Sequence, residues 1–346
     1  MKNFKMILIL GLVMILMAFN LVAEAKSDVY KWKILMSDMP ETSACVFAER
    51  WAKLVEEKTN GRVEFDFVPY GTLAGMADLV ELVQMGEGDM TMMDPGWLGS
   101  FVPQVQVFNL EYLWPKENIV ESVYEVCRNG QVMSLLQEYA RKKNLEILNI
   151  FGGGWQSLTS NVPIHSPEDC KGIKLRIQGS TLAVKAYNAY GFSSEVLGYE
   201  EVYSALQSKL IDAQYNPMFA IENMSFYEPQ DFITNLFNEL YMQFCVVNAK
   251  AFDNLPKDLQ KIFIDSALDL VKPMTAWGFQ QNQEAAERIK KAKPTITIYE
   301  LTDEEIITFK ELGMQGNSRS FLEIGGDGAK EILDTLLADI NTAQNQ

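Results

Sequence analysis

A helix–turn–strand layout that occurs twice is the feature that most constrains the fold of this chain. The segments VELVQMGEGDMTMMD (80–94) and VYSALQSKLIDAQYN (202–216) each contain an apolar helical stretch, a glutamine, a four-residue turn, an aspartate and a short strand. Such units are common, so coincidence is one interpretation. The other is a pair of similar α/β lobes around a shared cleft, because open α/β sheets bind ligands beyond the carboxyl ends of their strands. Two lobes that face each other would form a hinged trap.

The same succession of helix, stop and strand elsewhere in the chain predicts an α/β fold. Tyr30 to Leu35 is predicted to be a strand. A helix follows from Glu41 or Thr42, with apolar residues at helical spacing, until Asn60 ends it. RVEFDFV (62–68) alternates apolar and acidic residues, which is typical of a half-buried strand.

The C-terminal third of the chain is predicted to be mainly helical. Residues 257–271 are amphipathic, and residues 275–293 form a long polar helix that could brace both lobes. After the strand-like stretch TITIYEL (295–301), Asp303 opens another helix. The last segment, residues 329–346, ends in a polar tail.

The N-terminus has the pattern of a cleavable secretory signal peptide. The basic start MKNFK is followed by an uncharged apolar run from Met6 to Val22 and then by Ala-Glu-Ala, which predicts cleavage after Ala25. A membrane anchor is the alternative interpretation, although the run is at the short limit for a span. We therefore expect a soluble protein exported to the periplasm, with no direct membrane insertion after cleavage.

The acidic charge of the chain limits its partners. The formal net charge is −16, and it becomes −17 without residues 1–25. A field of this sign excludes binding of nucleic acid or anionic lipid through the overall charge. Any bound anion must therefore be held by local donors that overcome the global field. About 320 mature residues are too many for one ordinary core and suit two lobes.

The cysteine and histidine content argues against a metal site, a cofactor and an enzyme. The four cysteines are far apart, show no CxxC spacing and are interpreted as small buried residues. The single histidine, His165, excludes a paired-histidine metal site such as HExxH. The sequence has no GxSxG nucleophile elbow and no phosphate-binding loop. An exported hydrolase stays a weaker alternative, because so many acidic residues allow a chance carboxylate pair.

The segment CKGIKLRIQGS (170–180) places an arginine on one face of a predicted strand. Ile173, Leu175 and Ile177 alternate with polar residues, so one face of the strand is apolar. Arg176 lies on the other face. Its guanidinium either points into bulk solvent or faces a group that requires a fixed positive charge.

Four segments of the chain together resemble the substrate-binding proteins of tripartite ATP-independent periplasmic (TRAP) transporters, the dicarboxylate-binding-protein-like family. They are VPYGTLAGMADLVELVQMGEGDM (68–90), SPEDCKGIKLRIQGS (166–180), EEVYSALQSKLIDAQYNP (200–217) and LPKDLQKIFIDSA (255–267). The resemblance covers nearly the whole mature chain. It implies a two-lobe periplasmic-binding-protein fold, with crossover strands and a long helix that spans both lobes.

The resemblance also implies a division of the chain into lobes. Residues 1–25 are the signal peptide, and residues 311–346 form C-terminal helices that pack on the lobes. Lobe I comprises residues 26–153 plus about 242–281, and lobe II comprises residues 154–241 plus about 282–310.

By resemblance, the protein closes around a small organic anion and delivers it to the membrane permease subunits of an ion-gradient-driven transporter. In this family the arginine of the KGxKxR strand holds the carboxylate of the ligand, and that position is Arg176 here. The chemistry is consistent, because a guanidinium binds a carboxylate, or two sulfonate oxygens, through two parallel hydrogen bonds.

Three further positions carry over from the family pattern, each with an alternative. Asn216 would hydrogen-bond the ligand or Arg176, or it is a turn residue before Pro217. Asp94 would accept a hydrogen bond from a ligand hydroxyl or amine, or it caps a loop. Tyr199 would line the pocket, or it belongs to the core.

The sequence departs from the family pattern at GGWQSLTSN (153–161). Many members that bind sialic acid or dicarboxylates have a second arginine where this chain has Gln156, next to Trp155. Two ligand carboxylates facing one guanidinium would leave one of them desolvated and poorly paired. The substitution therefore predicts a monoanionic ligand, bound by Arg176 with Gln156 and Asn216 as hydrogen-bonding neighbours.

Aromatic residues in predicted cleft loops point to the same kind of ligand. Trp97, Tyr112, Trp114 and Trp155 either stack on an apolar or aromatic ligand body, shrink the cleft, or pack in the core. We thus expect a non-enzymatic capture protein for a small monocarboxylate or small sulfonate. A periplasmic sensory module with the same pocket and a different docking surface is the alternative.

Overall fold

The computed structural model describes residues 29–345, so the predicted signal peptide lies outside the described part of the chain. Within that part the strands are β1 (Tyr30–Leu35), β2 (Val63–Val68), β3 (Met90–Met93), β4 (Leu145–Ser160), β5 (Lys174–Ile177), β6 (Ser193–Val196), β7 (Ala213–Pro217), β8 (Phe232–Asn235), β9 (Leu240–Asn248) and β10 (Thr297–Glu300). The α-helices are α1 (Ser43–Thr59), α2 (Met76–Met85), α3 (Pro95–Leu98), α4 (Ile119–Asn129), α5 (Val132–Arg141), α6 (Thr181–Tyr190), α7 (Val202–Gln207), α8 (Met218–Asn223), α9 (Ala249–Asp253), α10 (Lys257–Ala292), α11 (Asp303–Ile324) and α12 (Ala329–Gln344). Short 3-10 helices occupy Pro103–Asn109, Pro167–Cys170 and Tyr199–Glu201.

Two long strands, β4 and β9, connect the halves of a mixed sheet. Across residues 29–345 the strand order is β2-β1-β3-β9-β4-β7-β5-β6, with β8 paired to β4 and β10 paired to β8. β4 pairs with β9 as far as the Trp155–Leu240 pair, and its last residues pair instead with β7 and β8. β1 is parallel to β2 and β3, and β5 is parallel to β6 and β7. The crossover strands and the two-lobe α/β fold predicted from the sequence are therefore confirmed.

Both copies of the helix–turn–strand layout form as predicted. α2 ends at a left-handed Gly86 and is followed by β3, and α7 ends at Ser208 and is followed by β7. Asp94 comes directly after β3, and Asn216 lies near the end of β7. The layout therefore brings the carboxyl ends of two strands from different parts of the sheet to the space between the lobes.

The apolar spacing that predicted α1 corresponds to a buried stripe. Phe47, Trp51 and Val55 are fully buried, and burial of a side chain of this size contributes about 1.5–3 kcal/mol. The indole Nε1 of Trp51 donates to the carbonyl of Phe263 at 3.1 Å, which fixes α1 against α10. Asn60 ends the helix with a left-handed φ of 53°, as its position in the sequence predicted.

The long helix α10 is continuous, whereas the sequence pattern predicted two segments separated near residues 272–274. Pro273 lies inside the helix, where a proline removes one main-chain hydrogen bond and costs about 3 kcal/mol. α10 packs against α1, α4 and β4 along one part and against α8 along another. Packing on both lobes thus offsets the cost of the proline, and the predicted helix that contacts both lobes is confirmed.

The apolar core is divided along the sheet. The largest cluster surrounds β1, β3, β9 and the first part of β4. Two smaller clusters lie in the other half, one around Leu175 and Tyr187 and one around Tyr199 and Phe226. The residue boundaries of the two lobes stay a prediction.

The four cysteines all lie within the described residues. Each is buried with a free thiol, in agreement with their interpretation as small core residues. No helix between residues 29 and 345 is both long and apolar enough to cross a membrane.

Candidate functional site

A small cavity lies where loops and strand ends from both halves of the sheet meet. The space in it that is open to a water-sized molecule is about 10 Å³. The cavity is lined by Asp38, Met76, Asp94, Trp97, Arg176, Gln178, Tyr199, Asn216, Ala220 and Tyr241. Five of the seven predicted site residues are among them, namely Asp94, Trp97, Arg176, Tyr199 and Asn216.

The other two predicted residues, Trp155 and Gln156, do not line this cavity. Trp155 faces a separate surface groove, where its ring packs edge-on against Phe237 at 6.0 Å between centroids. The strand carries a register shift between Gly152 and Trp155, and a bulge of this kind changes which face the following side chains occupy. Gln156 is fully buried, and both polar atoms of its side chain lack a hydrogen-bond partner.

The remaining aromatic residues of the predicted cleft loops also lie away from the cavity. Trp114 is buried and stacks on Phe108 at 6.3 Å between ring centroids. Tyr112 packs against the core cluster that contains Tyr187. Both residues therefore pack in the core, which was one of the alternatives predicted from the sequence, whereas Trp97 lines the cavity.

Arg176 supplies a buried positive charge with few partners. It lies on β5 and is only 1% exposed. Its Nε donates to the carbonyl of Leu197 at 3.1 Å, while its Nη1 has no hydrogen-bond partner. Within residues 29–345 no carboxylate oxygen lies within 4.0 Å of the guanidinium. Burial lowers the pKa of Arg176, because the charged form is desolvated.

Asp94 both caps a helix and lines the cavity. Its Oδ1 accepts from the main-chain nitrogens of Gly96 at 2.8 Å and Trp97 at 3.2 Å, at the start of α3. The same oxygen accepts from Nε2 of Gln178 at 3.3 Å. Burial raises the pKa of Asp94 to about 6, against the lowering effect of these main-chain donors and of Arg176.

Asp38 is a carboxylate of the cavity that the sequence interpretation missed. It follows β1, is buried, and accepts from the main-chain nitrogen of Met39 at 2.7 Å. Burial and the negative charge of Asp94 raise the pKa of Asp38 to about 7. Asp94 was assigned from the family resemblance, whereas the signal available for Asp38 is its position beyond the carboxyl end of a strand, where open α/β sheets bind ligands.

The other polar groups of the cavity belong to Asn216, Tyr199, Tyr241 and Gln178. Asn216 donates through Nδ2 to Oε1 of Gln214 at 2.5 Å, and no hydrogen bond joins Asn216 to Arg176 in the described residues. The hydroxyl of Tyr199 has no partner, and that of Tyr241 accepts from Nε2 of Gln243. Gln178, two residues after Arg176, was visible in the strand alternation but was not assigned to the site.

Side chains from the two halves touch around the cavity. Besides the Gln178–Asp94 contact, Ser180 Oγ and Gln106 Oε1 lie 3.3 Å apart. A Cβ placed on Gly179 would lie 2.5 Å from the ring of Trp97, so a glycine is required for this close approach. The cavity is thus enclosed by both halves, as expected for a site that closes around its ligand.

The chain is similar to known proteins over nearly its whole length. Residues 37–320 match the family model described as bacterial extracellular solute-binding protein, family 7. The ectoine/5-hydroxyectoine-binding periplasmic protein UehA of Ruegeria pomeroyi is 28% identical over 332 residues, which cover 96% of this chain and 95% of the relative.

Solved structures extend the similarity to the fold. The periplasmic ectoine-binding protein of the TeaABC TRAP transporter of Halomonas elongata is 27% identical, with a TM-score of 0.84 over 90% of this chain and 99% of that one. A TRAP periplasmic solute-binding protein of Desulfovibrio salexigens with bound orotic acid is 26% identical, with a TM-score of 0.85 over 91% and 99% of the respective chains.

Proposed function

The chain belongs to family 7 of the bacterial extracellular solute-binding proteins, and on that premise we propose that it captures a small organic monoanion in the cavity at Arg176. It is a periplasmic solute-binding protein of the TRAP type, and it is a binding protein rather than an enzyme. The partners we propose are a small carboxylate or sulfonate and the membrane subunits of a TRAP permease driven by an ion gradient.

The observation that carries this proposal is the buried guanidinium of Arg176. An unpaired charge in the interior costs several kcal/mol, and no carboxylate within residues 29–345 pairs with it. A ligand carboxylate or sulfonate would supply the missing partner through two parallel hydrogen bonds. The strand geometry keeps the guanidinium in place before the ligand arrives, because its Nε is already bonded to Leu197.

The charges around Arg176 favour one anionic group over two. Asp38 and Asp94 line the same cavity, so a second ligand carboxylate would meet like charges rather than a second arginine. The relative of known structure that holds orotic acid shows that a planar monocarboxylate fits a protein of this fold.

The sensory alternative shares the cavity and differs only in the surface that meets a membrane partner. The similar solved structures are described as solute-binding proteins of TRAP transporters, and this favours the capture function for this chain. Two relatives are named as ectoine-binding proteins, so ectoine is one test compound beside plain carboxylates and sulfonates.

Thermal unfolding of residues 26–346 against a panel of monocarboxylates, dicarboxylates and sulfonates tests the proposal. We expect at least one monoanion to raise the melting temperature of the wild type, because a ligand at 100 times its Kd stabilises the folded state by about 2.7 kcal/mol. Arg176→Gln should abolish the shift. Lys174→Ala, on the same strand but at the surface, is the matched control and should retain it.

Two results would contradict the proposal. An undiminished shift in Arg176→Gln would mean that the guanidinium does not hold the ligand. A response to dicarboxylates but not to monoanions would mean that the loss of the second arginine at Gln156 does not select for a single charge. Mass spectrometry of small molecules released on unfolding would identify any ligand retained through purification.

A further inference from the structure

Three segments of the chain pass close together between the two halves of the fold, and each carries a buried polar side chain there. The first follows the 3-10 helix Pro103–Asn109: Leu110 belongs to the largest core cluster, whereas Tyr112 packs on the cluster around Tyr187. The side chain between them, that of Glu111, is only 4% exposed. This segment therefore places a carboxyl group between two apolar cores.

The other two segments are the long strands β4 and β9, whose pairing ends one residue before Gln156. Glu239 directly precedes β9, and both Gln156 and Glu239 are 1% exposed. The main-chain nitrogen of Gln156 donates to the carbonyl of Glu239 at 3.0 Å. That of Tyr112 donates to the carbonyl of Asn238 at 2.5 Å. The three segments are thus tied together at Glu111, Gln156 and Glu239, and we term these three residues the crossing.

The two carboxyl groups of the crossing have uncharged hydrogen-bond partners. Glu111 accepts from the hydroxyl of Tyr190 on α6 and, at 2.9 Å, from Nδ2 of Asn238. Oε1 of Glu239 accepts from Nδ2 of Asn109 at 2.7 Å, and Oε2 has no partner. Among residues 29–345 no lysine, arginine or histidine nitrogen lies within 4.0 Å of either carboxyl. A negative charge on either group would therefore be buried without a cation.

We infer that the crossing is a proton-controlled hinge, in which a neutral Glu111 favours the closed arrangement of the lobes and an ionised Glu111 favours an open one. The lobes move relative to each other only if the three segments bend where they cross. In the closed arrangement an ionised Glu111 would be desolvated, within reach of the charge of Glu239 and without a cation, which is costly. Opening that admits water to the crossing would stabilise the charge. The inference concerns the movement of the lobes and does not depend on which ligand binds.

The titration of the crossing supports the same assignment. Burial raises the pKa of Glu111 to about 7 and that of Glu239 well above its ordinary value. The titratable groups whose fields reach these carboxyls from the neighbouring elements are Asp94 after β3, Tyr112, Tyr187 and Tyr190 on α6, and Tyr215 on β7. Burial raises the pKa of the four tyrosines, so they stay neutral. Gly313, which α11 places against Glu111, contributes no side chain.

The sign of the effect follows from the two environments of Glu111. A hydrated glutamate ionises near pH 4.5 and the buried one near pH 7. The ratio of closed to open molecules is therefore greatest below about pH 4.5 and falls as the pH rises to about 7. The share of Glu111 in this fall is at least about tenfold between pH 5 and pH 8. Other buried acids, such as Glu239 and Asp38, add falls of the same sign, so the share of Glu111 is measured as a difference between variants.

Förster energy transfer between dyes on Glu64→Cys and Glu195→Cys tests the inference on the mature chain, residues 26–346. These exposed side chains lie on β2 and β6, the two ends of the strand order, so their separation follows the opening of the lobes. The four native thiols are buried and burial raises the pKa of each, so the dyes react with the introduced cysteines. The ratio of closed to open molecules is measured without ligand at pH 5, 6, 7 and 8.

We expect the ratio of closed to open molecules to fall with rising pH in the labelled protein. In Glu111→Gln, which keeps an acceptor oxygen but does not ionise, the fall between pH 5 and pH 8 should be smaller by at least about tenfold. Tyr190→Phe removes a hydrogen bond that lowers the pKa of Glu111, so the midpoint of the fall should move to a higher pH. Glu117→Gln, an exposed position six residues after Glu111, is the matched control and should change neither quantity.

Three results would overturn the inference. One is an energy transfer that is the same from pH 5 to pH 8 in the labelled protein. Another is a fall in Glu111→Gln as steep as without that substitution. The third is an unchanged midpoint in Tyr190→Phe, a variant that keeps the carboxyl group and remains decisive if Glu111→Gln does not fold. None of these results bears on the capture of an anion by Arg176, which the thermal shifts measure separately.

Discussion

Replacing Asp38 with asparagine should stabilise the ligand-free protein, and by more at high pH than at low pH. The carboxyl of Asp38 has a pKa of about 7 in the folded protein, against 3.8 for the free side chain. Between these values the unfolded chain gives up its proton more readily than the folded protein. The contribution of Asp38 to the free energy of unfolding is therefore greatest below about pH 4 and falls as the pH rises to about 7.

The magnitude follows from the size of the shift. The difference between 3.8 and about 7 is about three pH units, and each unit corresponds to about 1.4 kcal/mol. Ionisation of Asp38 thus costs the folded state on the order of 4 kcal/mol above pH 7, of which about 2–3 kcal/mol develops between pH 5 and pH 8. Asparagine occupies the same volume, keeps the acceptor for the Met39 N–H and does not titrate.

Urea unfolding at pH 5, 6, 7 and 8, without ligand, measures the effect. The free energy of unfolding of Asp38→Asn minus that of the wild type should increase from pH 5 to about pH 7 and then level off, and Asp66→Asn at the surface should show no such trend. Other buried acids, such as Glu111 with its pKa raised by burial to about 7, contribute equally to both proteins and cancel in the difference. A difference that is the same at pH 5 and pH 8 would refute the reasoning, because it would mean that Asp38 does not titrate in this window.

Two further substitutions test how α10 contacts the lobes, each by urea unfolding. In Gly278→Ala the new Cβ would lie 2.9 Å from Cα of Gly153. We therefore expect the free energy of unfolding to fall by about 1–2 kcal/mol, despite the gain in helix propensity. A stabilised variant would contradict this contact. Pro273→Ala, at an exposed position inside α10, should raise stability by about 1–2 kcal/mol, because alanine restores the missing N–H while losing part of the entropic advantage of proline. A destabilised Pro273→Ala would mean that the proline shapes the helix to fit both lobes.

The sequence predicted the features that depend on local periodicity. Local signals that extend over a few residues predicted strand β1, helix α1 and the two helix–turn–strand units. They also predicted that α1 ends at Asn60, which adopts a left-handed conformation. Arg176 could be assigned to a polar strand face for the same reason, and the cavity lies on that face. The resemblance to a family then placed the strand in a two-lobe fold.

Only the tertiary structure decided which residues meet at the cavity. Trp155 was predicted to lie in the cleft but faces another groove, in a strand whose pairing with β9 shifts register between Gly152 and Trp155. The continuity of α10 through Pro273 likewise depends on burial against both lobes, which outweighs the local preference to break.

The sequence also did not predict which charged groups meet at the cavity. Asp38 is one of 46 acidic residues, and its place shortly after a predicted strand was the one sequence signal that pointed to it. Its significance comes from desolvation beside Asp94, and desolvation is a property of the folded surroundings rather than of the residue type. The chain by itself thus determined the helices and strands and indicated the arginine, while the packing of the two lobes created a buried cavity lined by one cation and two carboxylates.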